Sequence, residues 1–181
     1  MPRIQPIDRN AATVGTQKLL GSVEKKLGMM PNLIATMAQS ASLVQAYLSF
    51  SQALSNGSIS AQLREQIALA VGQANQCGYC LAAHSAVGSS LGLSEDEIRD
   101  ARTASSPDRK TEAALQFARQ IVDQQGFVSD DDLEEIRIAG YSESEVAELI
   151  GHVAFNIFTN YFNHVAETEV DFPPVPELVS T

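Results

Sequence analysis

Tryptophan is absent from this 181-residue chain, aromatic residues make up 6%, and only two cysteines occur. With so few aromatics, and a hydrophobic share of 44% carried largely by alanine and leucine, the composition suits a helical protein. No Val-, Ile- or Tyr-rich run escapes helical spacing, and no Asn-Gly or Asp-Gly pair sits between alternating strands, which excludes hairpins. Two cysteines cannot make a disulfide framework. None is needed, because one domain of this length buries a sizeable core.

Positive charge is also scarce. Twelve basic residues face 22 acidic ones, for a net charge of −10, and 15 of the acids lie between Glu95 and Glu148. No basic patch exists to meet phosphate backbones, so nucleic acid is excluded as a partner. Charge of either sign nearly vanishes between Leu27 and Ser94, where only Arg64 and Glu65 carry any. A second uncharged segment, Leu149 to Ala166, is long enough to raise the question of a membrane span. It holds His152, Asn156, Asn160, Asn163 and His164, which are costly in hydrocarbon, and reads as a buried helix with no membrane partner. The first residues, Met1 to Arg9, place charges where a signal peptide would place an apolar run, so a cytoplasmic address is expected.

What is present is helical. Leu43, Ala46, Tyr47, Phe50 and Leu54 are spaced three and four apart and end at Asn56-Gly57. Ser60 can cap a helix carrying Leu63, Ile67, Ala70, Val71 and Ala74, and Cys77 or Gly78 opens the next, toward Gly92. Pro31 occupies a first helical position. Ser94 to Glu97 and Ser142 to Glu145 each match a capping box, Ser129 precedes three aspartates favourable at a helix start, and Ala114, Phe117, Ala118 and Ile121 mark another helix. The pattern predicts an all-α chain of about seven to nine helices. It divides into a redox core at about 41–92, a C-terminal helix at about 143–168 and, because prolines crowd it, an extended tail at 171–181.

The chemistry concentrates in Cys77-Gly78-Tyr79-Cys80-Leu81-Ala82-Ala83-His84. On a helix, Cys77, Cys80 and His84 fall at i, i+3 and i+7 and share a stripe. A helix N-terminus and a neighbouring imidazole both raise the thiolate fraction, the first acting most on Cys77 and the second on Cys80. Thiolate attack on a peroxide gives a sulfenic acid, which a second thiol in reach condenses to a disulfide. In a reducing compartment such a pair reads as redox-active or metal-binding rather than as a permanent cross-link. Glu65 is conspicuous because its 68-residue surroundings hold one other charge.

Glu65, Cys77, Cys80 and His84 together resemble the Glu…Cys-x-x-Cys-x-x-x-His core of the AhpD-like alkylhydroperoxidases, within the carboxymuconolactone decarboxylase superfamily. Pro31-Asn32-Leu33, Asn160-Tyr161-Phe162-Asn163 and Val170-Asp171-Phe172-Pro173 resemble its subgroup of peroxidase-related enzymes, so that most of the chain is covered. The resemblance implies a single AhpD-like helical domain over 1–181 and a homo-oligomer, trimeric or hexameric. It also implies a hydroperoxide substrate and re-reduction by a dithiol or protein partner. Cys80 would attack, Cys77 resolve, and His84 with Glu65 relay the proton; neither a cofactor nor a metal is implied. The lipoyl-linked members carry a second His between their cysteines, whereas Tyr79 stands here and can hydrogen-bond without serving as a base near neutral pH.

His152, Asn156, Asn160 and Asn163 form a second polar stripe, spaced by four, four and three, that lines the dithiol pocket, caps neighbouring helices or meets a symmetry mate. Three other functions remain compatible with the residues. They are a zinc site built on the Cys/His set, a decarboxylase that does not need the cysteines, and a redox sensor that docks a partner through its oxidation state.

Overall fold

The computed structural model describes residues 1–176 and 178, and among these it contains nine helices and no strand. They are α1 (Val14–Leu27), α2 (Asn32–Met37), α3 (Ala41–Ser55), α4 (Ala61–Ala74), α5 (Gly78–Ser90), α6 (Glu95–Arg102), α7 (Arg109–Asp123), α8 (Asp130–Ile138) and α9 (Glu143–Ala166). Local chemistry sets the starts. Ser60 Oγ accepts from the Leu63 amide, and reciprocal capping boxes pair Ser94 with Glu97, Ser129 with Asp132 and Ser142 with Glu145. Pro31 sits one position earlier than its sequence reading. It is the N-cap of α2, and the first helical amide, Asn32 N–H, donates to Asp171 at 2.7 Å.

Helix α4 is the hub, packed against α5, α6, α7 and α9. Neighbours on every side explain why Gln66 through Gly72 are all buried and why this stretch lacks a polar face. One core gathers Ile67, Leu69, Leu115, Phe117, Leu149 and Val153 around α4, α7 and α9. A second collects Leu20, Ile34, Met37 and Val44 from α1, α2 and α3 around Cys77, Tyr79 and Cys80. Helix α5 serves both cores, so its first turn lies deep in the molecule. At the other end of α5, Gly88 keeps the helix close to its neighbours: a Cβ there would lie 3.0 Å from Leu93 Cδ1 and 3.8 Å from Glu65 Cβ.

The joint between α4 and α5 positions the thiols. Cys77 N–H donates to Gly72 O at 2.8 Å and Gln76 N–H to Gln73 O at 3.1 Å, with Gln76 left-handed at φ 56°. That is a Schellman ending of α4. Cys77 closes it and at once becomes the N-cap of α5, its sulfur accepting from the Cys80 amide at 3.4 Å. One residue therefore belongs to the end of one helix and the beginning of the next.

The tail leaves helix after α9, as its prolines require. Asp171 holds the start of α2, Arg102 Nη1 donates to Pro176 O at 2.9 Å, and Val175 packs on the first core. Residues 177 and 179–181 of the expected tail lie outside the described residues. The uncharged segment 149–166 belongs to α9, and among the described residues no helix is long and apolar enough to cross a membrane.

Candidate active site

Cys77 and Cys80 are both buried, at 1% and 2% exposure, and their sulfurs lie 2.6 Å apart. The sequence stripe is realised around them. His84 stands one turn beyond Cys80 on α5, and Glu65 reaches it from α4, with Oε2 2.7 Å from His84 Nδ1. Glu65 thus touches the imidazole directly. Burial pulls the His84 pKa down, but the Glu65 carboxylate outweighs it and holds the imidazole above its ordinary value. With Nδ1 engaged, Nε2 is the ring nitrogen left for proton exchange.

The sulfurs are electrostatically coupled. The hydrogen bond between the two sulfurs holds the Cys77 pKa low against its burial; the same contact, together with burial, pushes Cys80 up. The pair titrates as a unit and shares a proton. Access ranks the thiols the other way. A cavity of about 310 Å³ reaches Cys80, His84 and Glu65, while Cys77 is not among the residues that line it. Its remaining wall is mostly apolar, with Leu33, Ile34, Leu54 and Phe172 as well as Tyr47 and Phe155, whose rings stack at 5.2 Å.

Helix α9 closes the site from behind. Asn160 Nδ2 donates to Cys80 Sγ at 3.0 Å, and Asn163 Nδ2 to Cys80 Sγ at 3.3 Å and to Cys77 Sγ at 4.0 Å. All four members of the second polar stripe are buried within the chain, so it faces inward. Asn156 donates to His152 O on its own helix at 2.8 Å and, with His152, lines the cavity. Burial and the nearby Arg64 guanidinium keep the His152 pKa below its ordinary value, and its Nε2 has no hydrogen-bond partner among the described residues. Within the stripe the sulfur contacts fall to Asn160 and Asn163 and not to His152.

Tyr79 is a wall. Its hydroxyl accepts from Leu33 N–H at 3.1 Å, its ring meets Phe172 edge-on, and burial pushes its pKa far up, so it takes no part as a base. Arg64 spends Nη1 on Ser55 O and Ile59 O, both at 3.1 Å. Among the described residues no group of three His, Cys, Asp or Glu side chains is arranged to hold a metal ion.

Asn75 was missed in sequence, as were the cavity walls Phe155 and Phe172. Asn75 Nδ2 donates to Asn160 Oδ1 at 2.9 Å. A polar residue in a helix-ending turn is ordinary, and nothing local announces a partner 85 positions away.

Residues 41–124, which carry Glu65, both cysteines and His84, match the model of the carboxymuconolactone decarboxylase family. No curated protein matches the chain. Among solved structures, an uncharacterized peroxidase-related protein from Silicibacter sp. TM1040 shares 23% identity with a TM-score of 0.82, covering 92% of this chain and 91% of that one. An alkylhydroperoxidase AhpD core protein from Ralstonia eutropha JMP134, also peroxidase-related and uncharacterized, gives 23% and 0.83 over 94% and 92%. The debrominase Bmp8, in a complex with 2,3,4-tribromopyrrole, gives 22% and 0.80 over 93% and 91%. At these identities the likeness is one of fold, and the fold is the AhpD-like helical domain expected from the sequence.

Proposed function

We infer that the chain belongs to the AhpD/carboxymuconolactone decarboxylase superfamily, whose family model matches residues 41–124, and that it is a dithiol peroxidase for organic hydroperoxides or hydrogen peroxide. The observation that carries this reading is the contact between two thiols, 2.6 Å apart, of which one opens on an apolar cavity. Cys80 thiolate attacks the terminal oxygen of the hydroperoxide, the O–O bond breaks, and the alcohol leaves with a proton supplied through His84. The Cys80 sulfenic acid that remains is attacked by Cys77, water is expelled, and a Cys77–Cys80 disulfide forms. A dithiol or a protein reductant returns two electrons and two protons.

Each residue's role follows from its place. Cys80 is the sulfur a substrate reaches, and Cys77, in contact with it, takes its proton before attack and resolves it afterwards. His84 exchanges protons through Nε2 while Glu65 fixes the ring and stabilises its charged form. The cavity supplies an apolar seat for the organic part of the substrate. A homo-oligomer completes the proposal. Helix α3 has no charged residue and only Val44 fully buried, and Phe50 on it and Ile150, Tyr161 and Val165 on α9 remain exposed, which suits cover by another copy. The reading also places the protein in a reducing, cytoplasmic compartment, where its thiols recycle.

The same thiols suit a second reaction, favoured by a mostly apolar cavity wall that includes the stacked rings of Tyr47 and Phe155. Attack of Cys80 on a ring bromine, with a proton delivered to the ring carbon, leaves a sulfenyl bromide that Cys77 converts to the disulfide with loss of bromide. Consumption of cumene hydroperoxide and release of bromide from a brominated pyrrole, each measured with excess dithiol reductant, separate the two. Peroxidase turnover in wild type that vanishes in Cys80→Ser supports the first; bromide release without peroxide turnover replaces it with the second.

A further inference from the structure

We infer that Asn160 and Asn163 are catalytic residues whose amide N–H groups hold the Cys80 thiolate, and that Asn75 is the positioning residue that fixes the polarity of the Asn160 amide. The inference rests on Cys80 as the attacking thiol of the proposed reaction.

Asn160 is fully buried in the apolar α9, where an unpartnered amide would be costly. Both its ends are used. Asn75 Nδ2 donates to its Oδ1 at 2.9 Å, which leaves only Nδ2 to meet Cys80 Sγ, at 3.0 Å. A side-chain amide can present either a donor or an acceptor to a sulfur, and the choice matters. A donor favours the thiolate, whereas an oxygen would favour the protonated thiol. The partner at Asn75 selects the donor.

Asn75 owes its place to the same turn that places the sulfurs. It is the C-cap of α4, two residues before Cys77 in the Schellman joint. The turn therefore sets the position of the thiol pair and the polarity of the amide behind it. Asn163, one helical turn along α9, adds a second donor at 3.3 Å. Cys77 is less well served, with the Cys80 amide at 3.4 Å and Asn163 at 4.0 Å. The side-chain donors thus converge on the sulfur that opens on the cavity, and as the shared proton moves to Cys77, the charge that appears on Cys80 meets two N–H groups already in place.

The other titratable and charged groups around Cys80 and its cavity are Cys77, Tyr79 and His84 at the start of its own helix, Arg64 and Glu65 from α4, Tyr47 from α3 and His152 from α9. Substituting Cys77 by Ser removes the coupled thiol, and the remaining groups are common to every variant compared. The experiment measures the rate of Cys80 alkylation by iodoacetamide against pH in Cys77→Ser, alone and combined with Asn160→Leu, Asn163→Leu or Asn75→Ala. Loss of the Asn160 donor should move the midpoint upward by about one pK unit, a roughly tenfold slower reaction below it. Asn163→Leu should move it the same way by less, and so should Asn75→Ala, which touches neither sulfur. An unmoved midpoint in Asn160→Leu would overturn the inference, and a downward shift would mean that the amides present oxygen to a thiol. Should Asn160→Leu not fold, Asn75→Ala in its half-exposed turn decides, and no shift there overturns the assignment. Alkylation uses no hydroperoxide. Shifted midpoints in a protein inert to peroxide would leave the cradle standing and remove the peroxidase, and unmoved midpoints in an active peroxidase would do the reverse.

Discussion

Glu65 Oε2 lies 2.7 Å from His84 Nδ1, and this contact ties the hub helix α4 to the thiol-bearing helix α5. Both side chains keep a minority of their surface exposed, 17% for Glu65 and 26% for His84, where they line the cavity. The carboxylate orients the ring and favours its protonated form against the pull of burial.

Glu65→Gln should therefore lower the His84 pKa, because burial is then opposed only by the smaller effect of the Cys77 charge. The ring proton shifts followed by NMR across pH 5 to 9 (about the titration range of a histidine) give the value directly. The sign of the stability effect follows by linkage. A histidine whose pKa is raised by folding stabilises the native state fully below its unfolded pKa, and that contribution is lost as pH rises through the folded pKa. The advantage of wild type over Glu65→Gln in urea unfolding should accordingly be larger below pH ~6 than above pH ~8.

The two thiols should behave differently when taken singly. Cys77→Ser, with Cys80 still facing the cavity, should react once with hydroperoxide and stop at a sulfenic acid, which a dimedone adduct detects on Cys80. Cys80→Ser leaves only the thiol shielded from the cavity, and its reaction should be slower by a factor of about a hundred or more, the usual scale for loss of a positioned reacting group. Equal rates in the two variants would show that access does not select the nucleophile.

Size selection should reside in the cavity wall. Ala83 lies on it between Cys80 and His84 in sequence, so Ala83→Leu should slow reaction with cumene hydroperoxide about tenfold while changing that with hydrogen peroxide much less. The ratio of the two second-order rate constants is the measurement, and an unchanged ratio would move the organic substrate to another face.

Gln76 holds a left-handed φ of 56° in the turn between α4 and α5, with an exposed side chain. Glycine adopts that conformation without steric cost, so Gln76→Gly should stabilise the fold by about 1 kcal/mol, less the extra entropy of an unfolded glycine. Urea midpoints check it, and a destabilised variant would mean that the Gln76 side chain makes a contact of its own.

The parts of this site that were legible in sequence are those fixed by one helix or by scarcity. Cys77, Cys80 and His84 repeat at helical spacing, and Glu65 stood out because almost nothing charged surrounds it. Capping serines marked the starts of α4, α6, α8 and α9 for the same reason, since an N-cap is decided by residues within one turn. The sulfur contacts of Asn160 and Asn163 were not legible. Their spacing showed a shared face, but which neighbour that face meets depends on how α9 packs behind α5, a long-range outcome that periodicity does not encode. Asn75 left no signal at all, because its role exists only once a turn on α4 and a buried amide on α9 have been brought together.

If Cys77 and Cys80 form one redox centre, peptide mapping by mass spectrometry after one equivalent of cumene hydroperoxide should show rapid loss of both free thiols. It should also show a peptide carrying an internal Cys77–Cys80 disulfide, two hydrogens lighter, reversed by a dithiol. Two free thiols beside unconsumed hydroperoxide, or oxidation that stops at separate sulfinic acids without a disulfide, would contradict it.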